Sequence, residues 1–183
     1  MDKNTLRELI KKKRMELSQD EVIKNSLEIW DNLYNMEIFK NSNIIMSYMS
    51  FKNEIDTSSF NEEVLKRGKT LLLPRVKDDC NMEVIRYNGN FSVSKFGIKE
   101  PLGEVYTGEI DMVIVPGVVF DKKGNRIGFG KGYYDRFFQK YPHCIKVVPL
   151  YEFQLFDEIP REEHDVLMDI LLLKNNYVIT NKY

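Results

Sequence analysis

The hydrophobic and polar positions divide the chain into a helical beginning and a longer part in which short apolar runs alternate with helical stretches. Ser18 and Glu21 have the spacing of a capping box, and behind them apolar residues recur every three or four positions as far as Tyr34. This period predicts a helix with one buried face. The preceding segment 3–14 also has helical spacing, but its many basic residues indicate a solvated, basic helix.

Short apolar runs after residue 43 predict β-strands at residues 44–46, 71–73, 112–115 and 145–148. Most of these runs are unbroken, which is typical of strands in a parallel sheet that helices cover on both faces. Neither a repeat nor a linker interrupts the pattern. We therefore expect an α/β fold, a single open domain over residues 1–183 with a mostly parallel sheet flanked by helices.

Cap and turn residues place the connecting elements. Asp56 or Thr57 can cap a helix between the first two strands, and the segment 132–140 has the composition of another helix. After the second strand, the Asn88-Gly89 pair predicts a tight hairpin turn between two short strands.

Composition excludes several classes of partner. Lys and Arg total 27 against 28 Asp and Glu, so the whole chain has no charge excess that would favour nucleic acid or an anionic membrane. The chain is long enough to bury one substantial core. Any anion that it binds must therefore be held by a local arrangement of side chains and backbone amides.

The cysteines and histidines do not form a metal motif. Cys80 and Cys144 lie far apart, and only His143 and His164 are available to complete a zinc site. We expect two reduced thiols and assign no role to either histidine. The polar start of the chain and the shortness of its apolar runs favour a cytoplasmic protein, which we expect to be a monomer.

The most informative stretch follows the third apolar run. Gly128, Gly130 and Gly132 alternate with other residues, and without Cβ atoms their backbone amides can approach a ligand closely. The helix that follows adds free N–H groups, and Arg126 and Lys131 add full positive charges. The spacing is neither that of a P-loop nor the GxGxxG dinucleotide fingerprint, but the composition predicts a phosphate-binding loop.

Asp135 stands just inside the helix that this loop opens. A carboxylate there either favours the helix dipole or holds Mg²⁺ beside bound phosphates, since Mg²⁺ is usually bound by one or two carboxylates with phosphate oxygens and waters. Asp165 and Asp169 are the candidates for a second carboxylate, and the residues alone do not choose between them.

The chain resembles the 5-formyltetrahydrofolate cyclo-ligases. Their signature of Pro-Gly, Phe-Asp, Gly-x-Arg-φ-Gly and Gly-x-Gly-Tyr-Tyr-Asp-Arg is matched from Val115 to Arg136. Further matches follow the order of the family: the basic N-terminal helix, Tyr48, Glu-Ile-Asp-Thr at 54–57, Leu-Pro-Arg-Val at 73–76 and Phe-Gly-Ile-Lys-Glu-Pro at 96–101. The last residues of the chain match least well.

This resemblance implies a fold related to the sugar-phosphate isomerases and coenzyme A transferases, ATP as co-substrate and Mg²⁺ as cofactor. The implied ATP-binding residues are Lys3, Asn4, Thr5, Leu6, Arg7, Arg126, Ile127, Gly128, Phe129, Gly130, Lys131, Gly132, Tyr133 and Tyr134. The implied folate-binding residues are Met49, Glu54, Phe129, Gly130, Lys131, Gly132 and Tyr133. The implied metal ligands are Asp135 and Asp169, with Asp165 as the competitor.

The reaction that the resemblance implies is the ATP-dependent cyclisation of 5-formyltetrahydrofolate to 5,10-methenyltetrahydrofolate. Lys131 and Arg126 are the charges that we assign to the transferring phosphoryl group, and Glu54 is assigned to the pterin. Phe129 and Tyr133 can stack on the pterin or the adenine ring. Two alternative functions remain. The first is a sugar-phosphate isomerase or deaminase without ATP, for which no acid/base group accompanies the loop. The second is a non-catalytic nucleotide or folate sensor.

Overall fold

The computed structural model describes residues 1–180 as one α/β domain with an eight-stranded and a three-stranded sheet. The strands are β1 (Ile44–Met46), β2 (Thr70–Val76), β3 (Met82–Val93), β4 (Lys99–Val105), β5 (Met112–Ile114), β6 (Val119–Asp121), β7 (Arg126–Ile127), β8 (Ile145–Pro149), β9 (Leu155–Phe156), β10 (Ile170–Leu172) and β11 (Tyr177–Ile179). The helices are α1 (Lys3–Met15), α2 (Gln19–Tyr34), α3 (Glu37–Asn41), α4 (Ser58–Lys66) and α5 (Tyr133–Lys140), with a 3₁₀ turn at Glu152–Gln154.

The large sheet has the strand order β11-β10-β8-β5-β1-β2-β3-β4. Its five central strands, from β10 to β2, are parallel, and antiparallel strands close both edges. The four predicted strands are therefore confirmed as parallel neighbours or near neighbours. Because the strands are parallel, their carboxyl ends meet at one edge, where open α/β sheets bind ligands.

Alternate residues of each central strand enter two different cores. Ile45, Leu71 and Met112 pack under α2, α3 and α4, where Trp30 and Phe60 stack with ring centroids 4.4 Å apart. Their strand neighbours Met46, Leu72 and Val113 pack on the other face with α5 and β6. Burial on both faces explains why these strands read as unbroken apolar runs.

The three-stranded sheet, in the order β7-β6-β9, was not predicted from the sequence. Its strands have only two or three residues, too few for a period to show. Helix α1 lies on this sheet and buries Leu6 and Ile10 against Val118, Val119 and Ile127. The expectation of a wholly solvated helix is therefore wrong, since α1 has one docked apolar face and one basic face.

The hairpin turn predicted at Asn88-Gly89 is also wrong. Strand β3 continues through both residues, and its pairing with β4 shifts register between Tyr87 and Phe91, so Gly89, with φ of 96°, forms part of a bulge. The chain reverses later, where the Ser94 N–H donates to the Ile98 carbonyl at 2.9 Å. The long pairing with β4 outweighs the local turn preference of Asn-Gly.

The predicted helix boundaries agree with the structure. Helix α4 begins after Thr57, although the Thr57 hydroxyl does not cap the helix but donates to the Tyr48 carbonyl at 2.6 Å. Gly68, with φ of 75°, ends the helix in the left-handed conformation. Within residues 1–180, none of the helices is long and apolar enough to cross a membrane.

The Ser18 cap generates a stability prediction. Its hydroxyl oxygen accepts the Glu21 N–H at 3.1 Å at the start of α2. We expect Ser18→Ala to lower the free energy of unfolding by about 1 kcal/mol, because one helix N–H loses its acceptor. Ser18→Asp keeps an acceptor and should stay close to the parent in the same urea titration. Equal losses in both variants would contradict a capping role.

Candidate active site

The glycine-rich loop and the basic face of α1 form one cavity near the carboxyl edge of the parallel strands. The Arg7 Nε donates to the Gly128 carbonyl at 2.8 Å, which holds the helix against the loop. The cavity has a volume of about 190 Å³. It is lined by Lys3, Arg7, residues 126–135, Glu162, His164 and Asp165.

The glycines of the loop serve different purposes. Gly130 and Gly132 have φ of 100° and 69°, a left-handed backbone that side chains disfavour. Gly128 instead leaves room for Arg126, whose Nη1 would lie 2.7 Å from a Cβ at that position. Within residues 1–180 the backbone N–H groups of 128–132 donate no hydrogen bond, so they are available to an anion.

Arg126 lies at the base of the cavity. Its side chain is 5% exposed, its Nη1 donates to the Pro116 carbonyl at 3.1 Å, and its Nη2 lies 3.5 Å from the Asp135 carboxylate. Burial lowers the pKa of Arg126 from its usual value, although the Asp135 charge acts against this shift. Its Nε has no hydrogen-bond partner within residues 1–180. A buried, partly unsatisfied guanidinium is suited to gripping an incoming anion.

Carboxylates lie opposite these cations. Asp165 accepts from Lys3 Nζ at 3.3 Å, and its ligand atoms lie within 4.8 Å of those of Glu162 and His164. Asp135 and Asp165 line the same cavity. The cavity therefore combines cations and free amides, groups that suit an anion, with the oxygen donors that a hard divalent cation prefers.

Asp169, expected from the resemblance as a metal ligand, does not line this cavity. It is 6% exposed and lies where β8 and β10 begin, at the edge opposite the carboxyl ends. Its carboxylate accepts the Lys146 N–H at 2.8 Å. The residue that the structure places beside the loop is Asp165.

A second cavity, of about 290 Å³, adjoins the first. Phe129 lines both cavities. The other lining residues of the second cavity are Lys11, Arg14, Met15, Phe51, Lys52 and Glu54. It combines two aromatic rings with three cations and one carboxylate, a composition suited to a flat ligand that has both hydrogen-bond donors and negative charge.

Glu54 is the titratable group of the second cavity. Burial raises its pKa to about 7, against the opposing effects of the Arg14 charge and of the Phe51 N–H, which donates to Glu54 at 3.3 Å. A carboxyl group with its pKa near neutrality, in a cleft beside an anion site, is characteristic of functional positions.

The structure does not bring every expected ligand-binding residue into these cavities. Leu6 is buried under the small sheet, the Thr5 N–H is capped by Asp2 at 2.7 Å, and the Asn4 side chain accepts from Arg7. These three residues do not line the first cavity. Met49 packs against the core and is absent from the lining of the second cavity.

Lys11 and Arg14 were not among the expected ligand-binding residues. With Lys3 and Arg7 they follow a spacing of four, four and three residues, which places all four on one face of α1. That periodicity of charge was the signal that would have found them. Phe51 and Lys52 lie in a loop without such a period.

A larger groove of about 950 Å³ lies at the opposite edge of the sheet, where β5 and β8 begin. Among residues 1–180 its lining includes Glu37, Glu109 and Asp111 but no Lys or Arg. This groove is unsuited to a polyphosphate.

Fold and site together define the class of protein. It is an open α/β protein in which the first, cationic cavity meets the second, aromatic cavity at the carboxyl edge of the sheet. The chain belongs to the 5-formyltetrahydrofolate cyclo-ligase family, whose model matches residues 1–174. It is a ligase of folate metabolism with 5,10-methenyltetrahydrofolate synthetase activity.

Relatives match over nearly the whole chain. The 5-formyltetrahydrofolate cyclo-ligase of Mus musculus is 29% identical over 95% of this chain and 94% of its own length. The enzyme of the same name from Mycoplasma genitalium is 31% identical over 94% of this chain and 98% of its own length. The solved 5,10-methenyltetrahydrofolate synthetase of Aquifex aeolicus superimposes with a TM-score of 0.87 at 36% identity, covering 100% of this chain and 95% of that one. The solved 5,10-methenyltetrahydrofolate synthetase of Mycoplasma pneumoniae superimposes with a TM-score of 0.79 at 29% identity, covering 95% of this chain and 99% of that one.

The raised pKa of Glu54 generates a stability prediction. Between the ordinary pKa of 4.5 and about 7, the folded state holds a proton that the unfolded state has released, so Glu54 makes the folded state less stable as pH rises through this window. Glu54→Gln removes this titration. We expect the free energy of unfolding of the variant, relative to the parent, to increase between pH 5 and pH 8.

Urea titrations at both pH values measure the change. Glu62→Gln, an exposed position on α4, is the matched control and should show no such trend. A Glu54→Gln difference that is the same at pH 5 and pH 8 would contradict the raised pKa.

Proposed function

We propose that the protein uses ATP and Mg²⁺ to convert 5-formyltetrahydrofolate to 5,10-methenyltetrahydrofolate, with release of ADP and phosphate. The observation that carries this proposal is the junction at Phe129, where the cationic cavity meets the aromatic cavity. A terminal phosphate held in the first cavity adjoins a folate held in the second. Catalysis of phosphoryl transfer depends mainly on such positioning.

The chemistry requires a leaving group. The formyl carbon on N5 is amide-like, and direct attack by N10 would have to expel oxide or hydroxide. Transfer of the γ-phosphoryl group of ATP to the formyl oxygen gives ADP and a phosphorylated, iminium-like carbon. N10 then forms the new C–N bond, and the C–O bond breaks with release of inorganic phosphate.

The first cavity supplies the charges for that transfer. We assign Lys131 and Arg126 to the oxygens of the transferring phosphoryl group, together with the free N–H groups of 128–132. Lys131 is exposed and lies within no ion pair among residues 1–180, so its charge is not already neutralised. Lys3 and Arg7 extend the positive lining along α1. The cavity of about 190 Å³ suits the phosphate chain rather than the whole nucleotide.

The second cavity supplies folate recognition. The ionised Glu54 carboxylate can accept hydrogen bonds from the amino and ring N–H donors of a pterin. Phe129 is 47% exposed and Phe51 36% exposed, which leaves ring surface available for stacking. Lys11, Arg14 and Lys52 provide the positive charge that suits the carboxylates of the glutamate tail.

The donor set fits Mg²⁺ at Asp135 and Asp165. Both carboxylates line the phosphate cavity, and Asp135 is 25% and Asp165 10% exposed at the side chain. Mg²⁺ bound there would neutralise charge on the phosphate oxygens. Asp135 pairs with Arg126 and Asp165 pairs with Lys3; Mg²⁺ on these carboxylates would leave both cations available to phosphate oxygens.

A direct absorbance assay tests the proposal. Protein, ATP, Mg²⁺ and 5-formyltetrahydrofolate together should produce the methenyl absorbance, and omission of any one should abolish it. Lys131→Ala should lower kcat on the order of a hundredfold or more, because one transition-state contact is lost, with an unchanged melting temperature. Lys66→Ala, an exposed lysine on α4, is the control. Product formation without ATP would overturn the mechanism.

A magnesium titration tests the metal ligands at saturating ATP and folate. We expect Asp165→Asn to raise the Mg²⁺ concentration for half-maximal activity about tenfold or more, because a hard cation loses an anionic ligand. Asp169→Asn should leave this concentration unchanged in the fraction that remains folded. A shift confined to Asp169→Asn would restore the assignment that resemblance implies.

A further inference from the structure

Arg136, the residue that ends the family signature, contacts the glycine-rich loop from outside the phosphate cavity. Its Nη2 donates to the Lys131 carbonyl, and its Nε donates to the Cys80 carbonyl in the turn between β2 and β3. The guanidinium also lies 5.6 Å from the centroid of the Tyr133 ring. Arg136 is exposed and does not line the cavity.

The bond to the Lys131 carbonyl fixes the orientation of a peptide group. The peptide between Lys131 and Gly132 is planar and trans, so its N–H points opposite to its C=O. Because Arg136 holds the Lys131 carbonyl on its own side, the Gly132 N–H is directed away from Arg136. This N–H is one of the free donors of the loop.

Gly132 is matched to this arrangement. A Cβ at position 132 would lie 2.9 Å from the Arg136 Nη1, so the glycine both adopts φ of 69° and leaves room for the guanidinium. The forked guanidinium of Arg136 thus contacts two carbonyls, and the second of these, that of Cys80, lies in a turn that also contacts α5. There the Tyr133 hydroxyl donates to the Asp78 carbonyl at 3.2 Å. The fork therefore joins the loop to a separate hairpin of the large sheet.

We propose that Arg136 is a positioning residue for the nucleotide: its guanidinium joins the Lys131 and Cys80 carbonyls and so presets the Gly132 amide of the glycine loop for phosphate. A lysine has a single donor nitrogen and therefore cannot reproduce the planar guanidinium, in which two separate nitrogens donate to the two carbonyls. This inference rests on the proposed use of ATP. It predicts that the fork, and not merely a positive charge, is required.

The test compares Arg136→Met, Arg136→Lys and Arg67→Met in the methenyl assay and in calorimetric titrations with ADP. Arg67, which pairs with Glu63 on α4 at 2.8 Å, is the matched control for loss of a surface arginine. Arg136→Met should lower kcat/KM for ATP on the order of 10- to 100-fold, since small misplacements of binding groups have effects of this size. KM for 5-formyltetrahydrofolate should change less than about twofold.

The remaining results decide between positioning, charge and structure. Arg136→Lys should recover only a minor part of the loss, and both Arg136 variants should bind ADP more weakly than Arg67→Met does. Full recovery by lysine would overturn the proposal in favour of a simple charge effect. Parent-like ADP affinity in Arg136→Met, or an equal rise in the KM values for ATP and for 5-formyltetrahydrofolate, would overturn it too.

Failure of the proposed function is distinguishable from failure of this inference. If the parent protein makes product without ATP, the proposed function fails, and this result needs no variant. If Arg136→Met does not fold, the lysine variant alone carries the comparison.

Discussion

The site depends on the burial of two side chains at the start of the chain. Leu6 and Ile10 are 3% and 0% exposed against the three-stranded sheet, and each such side chain contributes roughly 1.5–3 kcal/mol when it is removed from water. The adjacent face of α1 carries the cations that line both cavities. A hydrophobic contact thus brings together like charges on α1 and the glycine loop that would otherwise repel.

The same region holds its charges in provisional pairs. Arg126 faces Asp135 and Lys3 faces Asp165, so each of these four charges has an opposite charge beside it. In the proposed reaction, a polyanion would replace the carboxylates as partner of the two cations, and a divalent cation would replace the cations as partner of the two carboxylates. Such an exchange would let the buried Arg126 guanidinium bind phosphate without first losing its counter-charge, which would be costly in a low-dielectric site.

The sequence predicts those elements whose burial produces a clear pattern of apolar residues. It fails for elements whose conformation is decided by contacts with distant parts of the chain. Strand β1 was predicted at Ile44–Met46 because both its faces are covered. Asn88-Gly89 was misread because pairing between β3 and β4 overrides a local turn preference. The loop residues that line the cavity were identified from glycines and charges, whereas the positions of Asp165 beside the loop and of Asp169 at the other edge of the sheet depend on the tertiary fold, which the local sequence does not show.

The docking of α1 also has a consequence for the order in which the chain folds. Residues 3–15 leave the ribosome early, but the surface that receives Leu6 and Ile10 is made of residues 118–127. Strand β1 likewise cannot complete its pairing until β5, on one of its sides, has been synthesised. Contacts between such distant segments form slowly, and nascent chains expose their apolar surface meanwhile. The amphipathic first helix therefore remains an undocked, chaperone-accessible segment until more than half of the domain has been synthesised.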